Sequence, residues 1–317
     1  MIYDYATVPL DRIWDEDTTY RISTDPLPQR LKASIAEIGL ITPPLLKPQG
    51  HRFIIVSGFR RIAICRMLER EHVTAACLTS KVSNVQSALM AIADNATQRD
   101  LNIVELARAC CLLDNICQGH GLQQLFLSAG LDANPDLFTK LKRINQMPQV
   151  VHRGLVDQTI ALSTALRLNE YENLHFIEVL SNLLHELDLS LNRQRELLDW
   201  IDAIAKRDKL SVSEVLNDEP LKNLRQDSTL DPGHKTNLIR QYFKQRRYPN
   251  ISAFERNYQQ CAKTLKLPKG VELTPPANFE GRLFTFKIGF KEQPELLQLL
   301  ENLQQLVKDK ALNKLID

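Results

Sequence analysis

The stretch "FIIVSGFRRIAICRMLER", Phe53 to Arg70, decides how the first part of this chain is read. Phe53 to Val56 are four consecutive apolar residues, the mark of a buried strand. Ser57 and Gly58 break the run. From Phe59 to Leu68 the spacing turns helical, and Ile62, Cys65, Met67 and Leu68 are expected to face a core. The order is strand, glycine turn, helix. Arg60 and Arg61 fall in the first helical turn, where the helix dipole already makes the end positive. An anion bound there resolves the conflict. Free N–H groups at a glycine turn plus two guanidinium forks suit a phosphate. The alternative is two solvated arginines on a surface turn. The spacing matches neither a P-loop nor a dinucleotide-binding fingerprint.

The chain has 317 residues, enough for two or three domains. Apolar residues make up 44% and charged residues 25%, the balance of an ordinary soluble protein. The formal net charge is only +2, so any nucleic-acid surface must come from local clustering. No apolar run reaches the ~18 residues a membrane span needs. The start, "MIYDYATVPLDRIW", lacks the basic and apolar regions of a secretion signal. The six cysteines contain no C-x-x-C pair, which argues for buried thiols rather than a metal site. Together these features fit a reducing cytoplasm and no membrane partner.

Residues 1–93 alternate short strands and helices, as in a compact α/β domain. "ATVPLDRI" reads as an edge strand, and "DPLPQRLKASIAEIGL" as a helix with Leu31, Ile35 and Ile38 on one face and Gly39 as its C-cap. "ITPPLLK", "HRFIIVS" and "HVTAACLT" read as strands, and "SNVQSALMAIADN" as a helix. Residues 94–170 are helical. Asn102 and Glu105 form a capping-box start, and that helix is expected to stop at Gly119. Leu122 to Ala129 and Pro135 to Gln146, with Asn134 as cap, have the pattern of a helix-turn-helix. The second helix carries Thr139, Lys140, Lys142, Arg143, Asn145 and Gln146, side chains able to contact phosphates and base edges. The alternative is a helical bundle with a solvated basic face. Residues 171–317 read as mostly helical. They include a second basic patch at Lys244, Arg246 and Arg247, a loop at "LPKGVELTPPANFEG", a strand at "RLFTFKIGF" and an amphipathic helix from Gln293 on.

Four stretches, in this order and spacing, resemble the ParB family of chromosome and plasmid partition proteins, whose N-terminal fold sulfiredoxin shares. They are "LKASIAEIGLITPPLL", "FIIVSGFRRIAI", "DNATQRDLNIVELARAC" and "INQMPQVVHRGLVDQTIALSTALRL", together covering about residues 5 to 170. The resemblance implies an α+β chain. It would comprise a small ParB/sulfiredoxin-like nucleotide-binding domain over 1–93 and a helix-turn-helix DNA-binding domain over 94–170. Residues 171–317 form a mostly helical C-terminal domain outside the resemblance, longer than the family's short dimerisation domain and with a strand at Phe284 to Phe290, for which dimerisation is an open role. In the family the G-E-R-R turn binds the triphosphate of CTP. Carried over, Gly58, Arg60 and Arg61 would hold phosphate. Asp94 and Asn95 would sit near Mg²⁺, and Arg99 would add a phosphate contact. Arg21 stands in the place of an early family arginine. Phe59 replaces the family's Glu, Asp94 shortens another, and an early Gln implicated in hydrolysis has no counterpart.

The expected function is a nucleotide-regulated DNA-binding protein, cytoplasmic and homodimeric. It would use CTP or another nucleoside triphosphate with Mg²⁺ and act in partition, plasmid or phage maintenance, or transcription. Turnover stays open, from a slow nucleoside triphosphatase (CTPase) to none. The alternatives are a nucleotide-dependent phosphotransferase or nuclease-like enzyme, with Glu37 as a candidate base, and an interaction protein with a decayed nucleotide site.

Overall fold

The computed structural model describes residues 2–24, 29–118, 120–131, 134–171, 173–265, 267–276, 283–307 and 312. The chain forms two compact units, Met1–Leu191 and Asn192–Asp317. Among the described residues no helix is long and apolar enough to cross a membrane.

The first unit begins with β1 (Tyr3–Pro9), a single 3-10 turn and β2 (Ile13–Trp14). Then come α1 (Gln29–Glu37), β3 (Leu45–Gln49), β4 (Arg52–Ser57), α2 (Phe59–Met67), β5 (His72–Leu78) and α3 (Asn84–Ala96). The sheet order is β1-β5-β3-β4-β2. β1 pairs antiparallel with β5, β5 parallel with β3, β3 antiparallel with β4, and β4 parallel with β2. The expected edge strand over Ala6–Ile13 is β1 only as far as Pro9; Leu10–Arg12 form the 3-10 turn and Ile13 opens β2 at the other edge. The expected buried strand is β4, whose Ile54, Ile55 and Val56 are buried. Ile55 joins Val8, Ile35, Leu46, Ile62, Cys65 and others in one core cluster.

Two expectations about core faces fail. Met67 is 59% exposed, and Ile64 is buried in its stead. Five residues on from Ile62 lie about 140° round the helix, which turns Met67 to solvent. Ile38, just past the end of α1, is 69% exposed although its N–H still bonds Ser34 O in the helical pattern, so its helical spacing from Ile35 does not place it in the core. Gly39 does take the left-handed conformation, φ +91°, expected of a C-cap.

The rest of the first unit is helical: α4 (Ile103–Cys117), α5 (Leu122–Ser128), α6 (Pro135–Asn145), α7 (Gln149–Val156), α8 (Leu162–Leu168) and α9 (Leu174–Leu187). The Asn102–Glu105 capping box forms. The expected stop at Gly119 lies outside the described residues. Asn134 caps α6, with Pro135 in its first turn. α5 and α6 meet edge-to-face through Phe126 and Phe138, ring centroids 5.1 Å apart.

The second unit contains α10 (Leu191–Asp208), which starts one residue before it, α11 (Val212–Leu216), α12 (Glu219–Gln226), α13 (Pro232–Arg247) and α14 (Pro249–Thr264). It closes with β6 (Val271–Thr274), β7 (Thr285–Ile288) and α15 (Gln293–Leu306). The reading of "LPKGVELTPPANFEG" as loop is corrected at Val271–Thr274, which pairs antiparallel with β7. Val271 and Leu273 are buried and Glu272 is exposed, a period-two alternation hidden between prolines.

Candidate functional site

β4 runs straight into the turn at Gly58, and the turn opens α2. Gly58 has φ +97° and ψ 21°, the left-handed region. A Cβ there would lie 2.8 Å from Pro44 Cβ and 3.0 Å from Pro44 Cα, so both conformation and space demand glycine. α2 starts with no side-chain cap and no acidic residue in its first turn. Its first N–H groups and the positive end of its dipole are left without a carboxylate cap.

A cavity of about 420 Å³ lies at this turn. Gly58, Arg60 and Arg61 line it from the turn and α2, Asn95 from α3, and Arg99 from just beyond α3. Ile22, Leu31 and Leu40 contribute an apolar wall. The volume and the mixture suit a small polar ligand. Five residues expected to act together, from Gly58 to Arg99, therefore share one cavity, whereas Asp94 is outside its lining. Arg21 lines a separate cavity of about 170 Å³, which shares Phe59 and Arg60 with the first. Glu37 is exposed and lies outside the lining.

The arginines are already held by the protein. Arg61 donates to Thr42 O at 2.9 Å, Pro43 O at 3.0 Å and Asp94 Oδ2 at 2.8 Å. Arg60 Nη2 donates to Thr24 O at 2.5 Å and lies 3.6 Å from Glu105 Oε1. Arg99 grips Glu105 with both terminal nitrogens, at 2.5 and 2.7 Å. Three guanidiniums against two carboxylates leave one formal positive charge beside the cavity.

Asp94 also accepts from Ser57 Oγ, and from Gln98 Nε2 at 2.9 Å. Its Oδ2 thus has two donors and its Oδ1 one. Asn95 Nδ2 donates to Ala91 O at 2.8 Å, which leaves its amide oxygen over. The residues offer a divalent cation one remaining lone pair on Asp94 Oδ1 and the Asn95 oxygen. That fits an ion such as Mg²⁺, which takes one or two protein oxygens and completes its shell from phosphate and water.

Glu105 is the participant that sequence reasoning missed. At the third position of α4 it reads only as half of a capping box, and that local role explained it fully. Nothing nearby in sequence announces Thr24, 81 residues away, whose N–H donates to Oε1 at 3.0 Å. The carboxylate is completely buried. Burial by itself would raise its pKa, but the bonds from Arg99, Thr24 and Asn102 outweigh that and hold it below the ordinary value. Phe59, which stands where the resemblance places a Glu, adds apolar surface to both cavities and packs on the core.

On α6 the expected contact residues divide. Thr139 and Lys140 are exposed. Lys142 pairs with Asp114 of α4 at 2.8 Å, and Arg143 donates to Leu166 O of α8 at 3.3 Å. Asn145 is half-buried. The second basic patch is largely engaged internally. Lys244 pairs with Glu255 at 2.8 Å, Arg246 with Asp218 at 3.0 Å, and Arg247 stacks on Tyr248 at 4.8 Å.

No family model matches the chain. It is 22% identical over 170 residues to a probable chromosome-partitioning protein ParB of Rickettsia bellii, which covers 54% of this chain and 55% of that protein. It is 29% identical over 136 residues to a probable chromosome 1-partitioning protein ParB of Deinococcus radiodurans, covering 43% and 45%. The matches thus span about half the length of these relatives. Among solved structures it is similar to a C-terminally truncated ParB of Caulobacter crescentus complexed with CTP-gamma-S, at 17% identity and TM-score 0.27, over 57% of this chain and 98% of that one. A Pnob8-like ParB-N domain matches at 13% identity and TM-score 0.39, over 61% and 92%. Over the four ordered stretches of its first 170 residues, the chain is similar to these two ParB partition proteins.

Proposed function

We propose that this chain is a nucleotide-regulated DNA-binding protein of the partition type. The cavity at Gly58 would take the phosphate chain of a nucleoside triphosphate, CTP first among them, and the α5–α6 pair would meet DNA. A homodimer would be the working form. Residues 1–93 would act as the nucleotide domain, 94–170 as the DNA domain and 171–317 as the C-terminal domain. The observation that carries this is the convergence of Gly58, Arg60, Arg61, Asn95 and Arg99 on one cavity beside an uncapped helix start. The curated relatives are partition proteins, and one Caulobacter ParB structure is a complex with the centromeric parS site.

In this reading the α2 N–H groups and Arg60 bind phosphate oxygens, while Arg61 braces the wall at Thr42 and Pro43 and keeps Asp94 in place. A bound Mg²⁺ would supply further charge neutralisation across the phosphate chain. The apolar wall excludes water from one side of the ligand. Calorimetric titration with CTP, ATP and GTP, each with Mg²⁺, tests it. CTP is expected to bind, and Arg60→Ala to weaken that binding by roughly a hundredfold, as for loss of a charge-assisted fork. Heat from none of the three would refute the nucleotide site.

For DNA, Lys140 is the freest of the expected cations on α6, so Lys140→Ala is expected to lower the salt slope of DNA binding by about one. Lys142→Ala is expected to act through the lost Asp114 pair, with a smaller change in slope. Titrations at several salt concentrations distinguish the two. Equal, unchanged slopes would remove α6 from the interface.

A further inference from the structure

We infer that Glu105 is a positioning residue for the phosphate site, fixing Arg99 and Arg60 from outside the cavity. The inference rests on the nucleotide reading of that cavity. Glu105 is fully buried and does not line the cavity, so a phosphate cannot take its place on the arginines. It therefore supports the guanidiniums rather than competing for them.

Both its oxygens are saturated. Oε2 accepts from Arg99 Nη1 at 2.5 Å and from Asn102 N at 3.2 Å. Oε1 accepts from Arg99 Nη2 at 2.7 Å and Thr24 N at 3.0 Å, with Arg60 Nη2 at 3.6 Å. Arg99 spends one further N–H on Asp100 O. Its Nε–H and the second Nη2–H stay outside these bonds, on a side chain 35% exposed that lines the cavity. A fork held on one edge has its free edge fixed in direction, because the guanidinium is planar and rigid.

The same carboxylate fixes the adjoining wall. Thr24 is bound by Glu105 through its N–H and by Asn102 Nδ2 through its hydroxyl, at 3.0 Å each. Arg60 holds Thr24 O and Arg108 holds Ser23 O, both at 2.5 Å. Ser23 lines the cavity. One buried negative charge thus sets two cations and a stretch of wall. It also supplies a counter-charge that lets the arginines stand partly desolvated before any ligand arrives.

The test is calorimetric titration of the full chain with CTP and CMP, with Mg²⁺, for the parent, Glu105→Gln and Arg99→Lys. Gln keeps an acceptor for one of the two N–H groups, Thr24 or Asn102, which bond different oxygens of Glu105, and cannot hold the fork. Lys keeps the charge and loses the fork. Both variants are expected to lose roughly tenfold or more in CTP affinity, with a smaller loss for CMP, so that the CTP/CMP ratio contracts. A merely structural role would leave that ratio unchanged. Parent-like or tighter CTP binding by Glu105→Gln overturns the inference while leaving the nucleotide site standing. A parent that binds neither ligand overturns both. Should Glu105→Gln fail to fold, Arg99→Lys decides alone, parent-like CTP binding and ratio overturning the inference.

Discussion

Gly58→Ala is expected to destabilise the first unit by about 2–5 kcal/mol and to abolish triphosphate binding. Two costs add. An L-residue in the left-handed region loses roughly 1–2 kcal/mol, and forcing a methyl into a packed site costs typically ~1–3 kcal/mol. Here the methyl would meet Pro44 Cβ at 2.8 Å and Cα at 3.0 Å, and the latter is backbone that cannot swing aside. Relief requires the turn or the Pro44 segment to shift. Pro43 O and Thr42 O, on that segment, are the acceptors that hold Arg61, so the shift reaches the site. Gly50→Ala is the control. Gly50 also has positive φ, +61°, but a Cβ there meets nothing within 4 Å. It should cost only about 1–2 kcal/mol, the conformational part alone. Thermal unfolding of both variants separates the terms. Equal shifts would mean that the Pro44 contact relaxes freely.

The strand–turn–helix at Phe53 to Arg70 was legible because each step has a local cause. Four apolar residues, a glycine at φ +97° and helical spacing need no distant partner. The Asn102–Glu105 capping box and the Asn134–Pro135 start were legible for the same reason. Met67 was misread because apolar character alone does not say on which side of a short helix a residue falls. β6 was missed because a four-residue strand between prolines gains its stability from β7 and from Leu299 and Leu303, which local sequence does not reveal. The convergence on the cavity followed from the family resemblance, not from spacing. The pairing state of each cation followed from neither. Lys142 and Arg246 looked like free positive charge, yet their partners Asp114 and Asp218 lie 28 residues away each. Basic residues on a helix therefore overstate a nucleic-acid surface until their carboxylates are found.

Glu105→Ala is expected to cost about 3–5 kcal/mol, the usual penalty for breaking a buried ion pair from one side. The loss strands the Arg99 fork and removes the acceptor of the Thr24 and Asn102 N–H groups. The effect carries a pH signature. The folded-state pKa of Glu105 lies below its ordinary value of 4.5. Its contribution is therefore fully present above pH 4.5 and is lost as pH falls through the lower folded value. The stability gap between parent and variant should be constant near neutral pH and narrow below 4.5, as read from urea unfolding across pH 3 to 7. Adding Arg99→Ala should recover part of the loss, because the orphaned cation is then gone. A pH-independent gap that Arg99→Ala does not reduce would mean that α4 needs the Glu105 side chain for packing and capping alone. The charge would then contribute nothing to holding the cavity arginines in place.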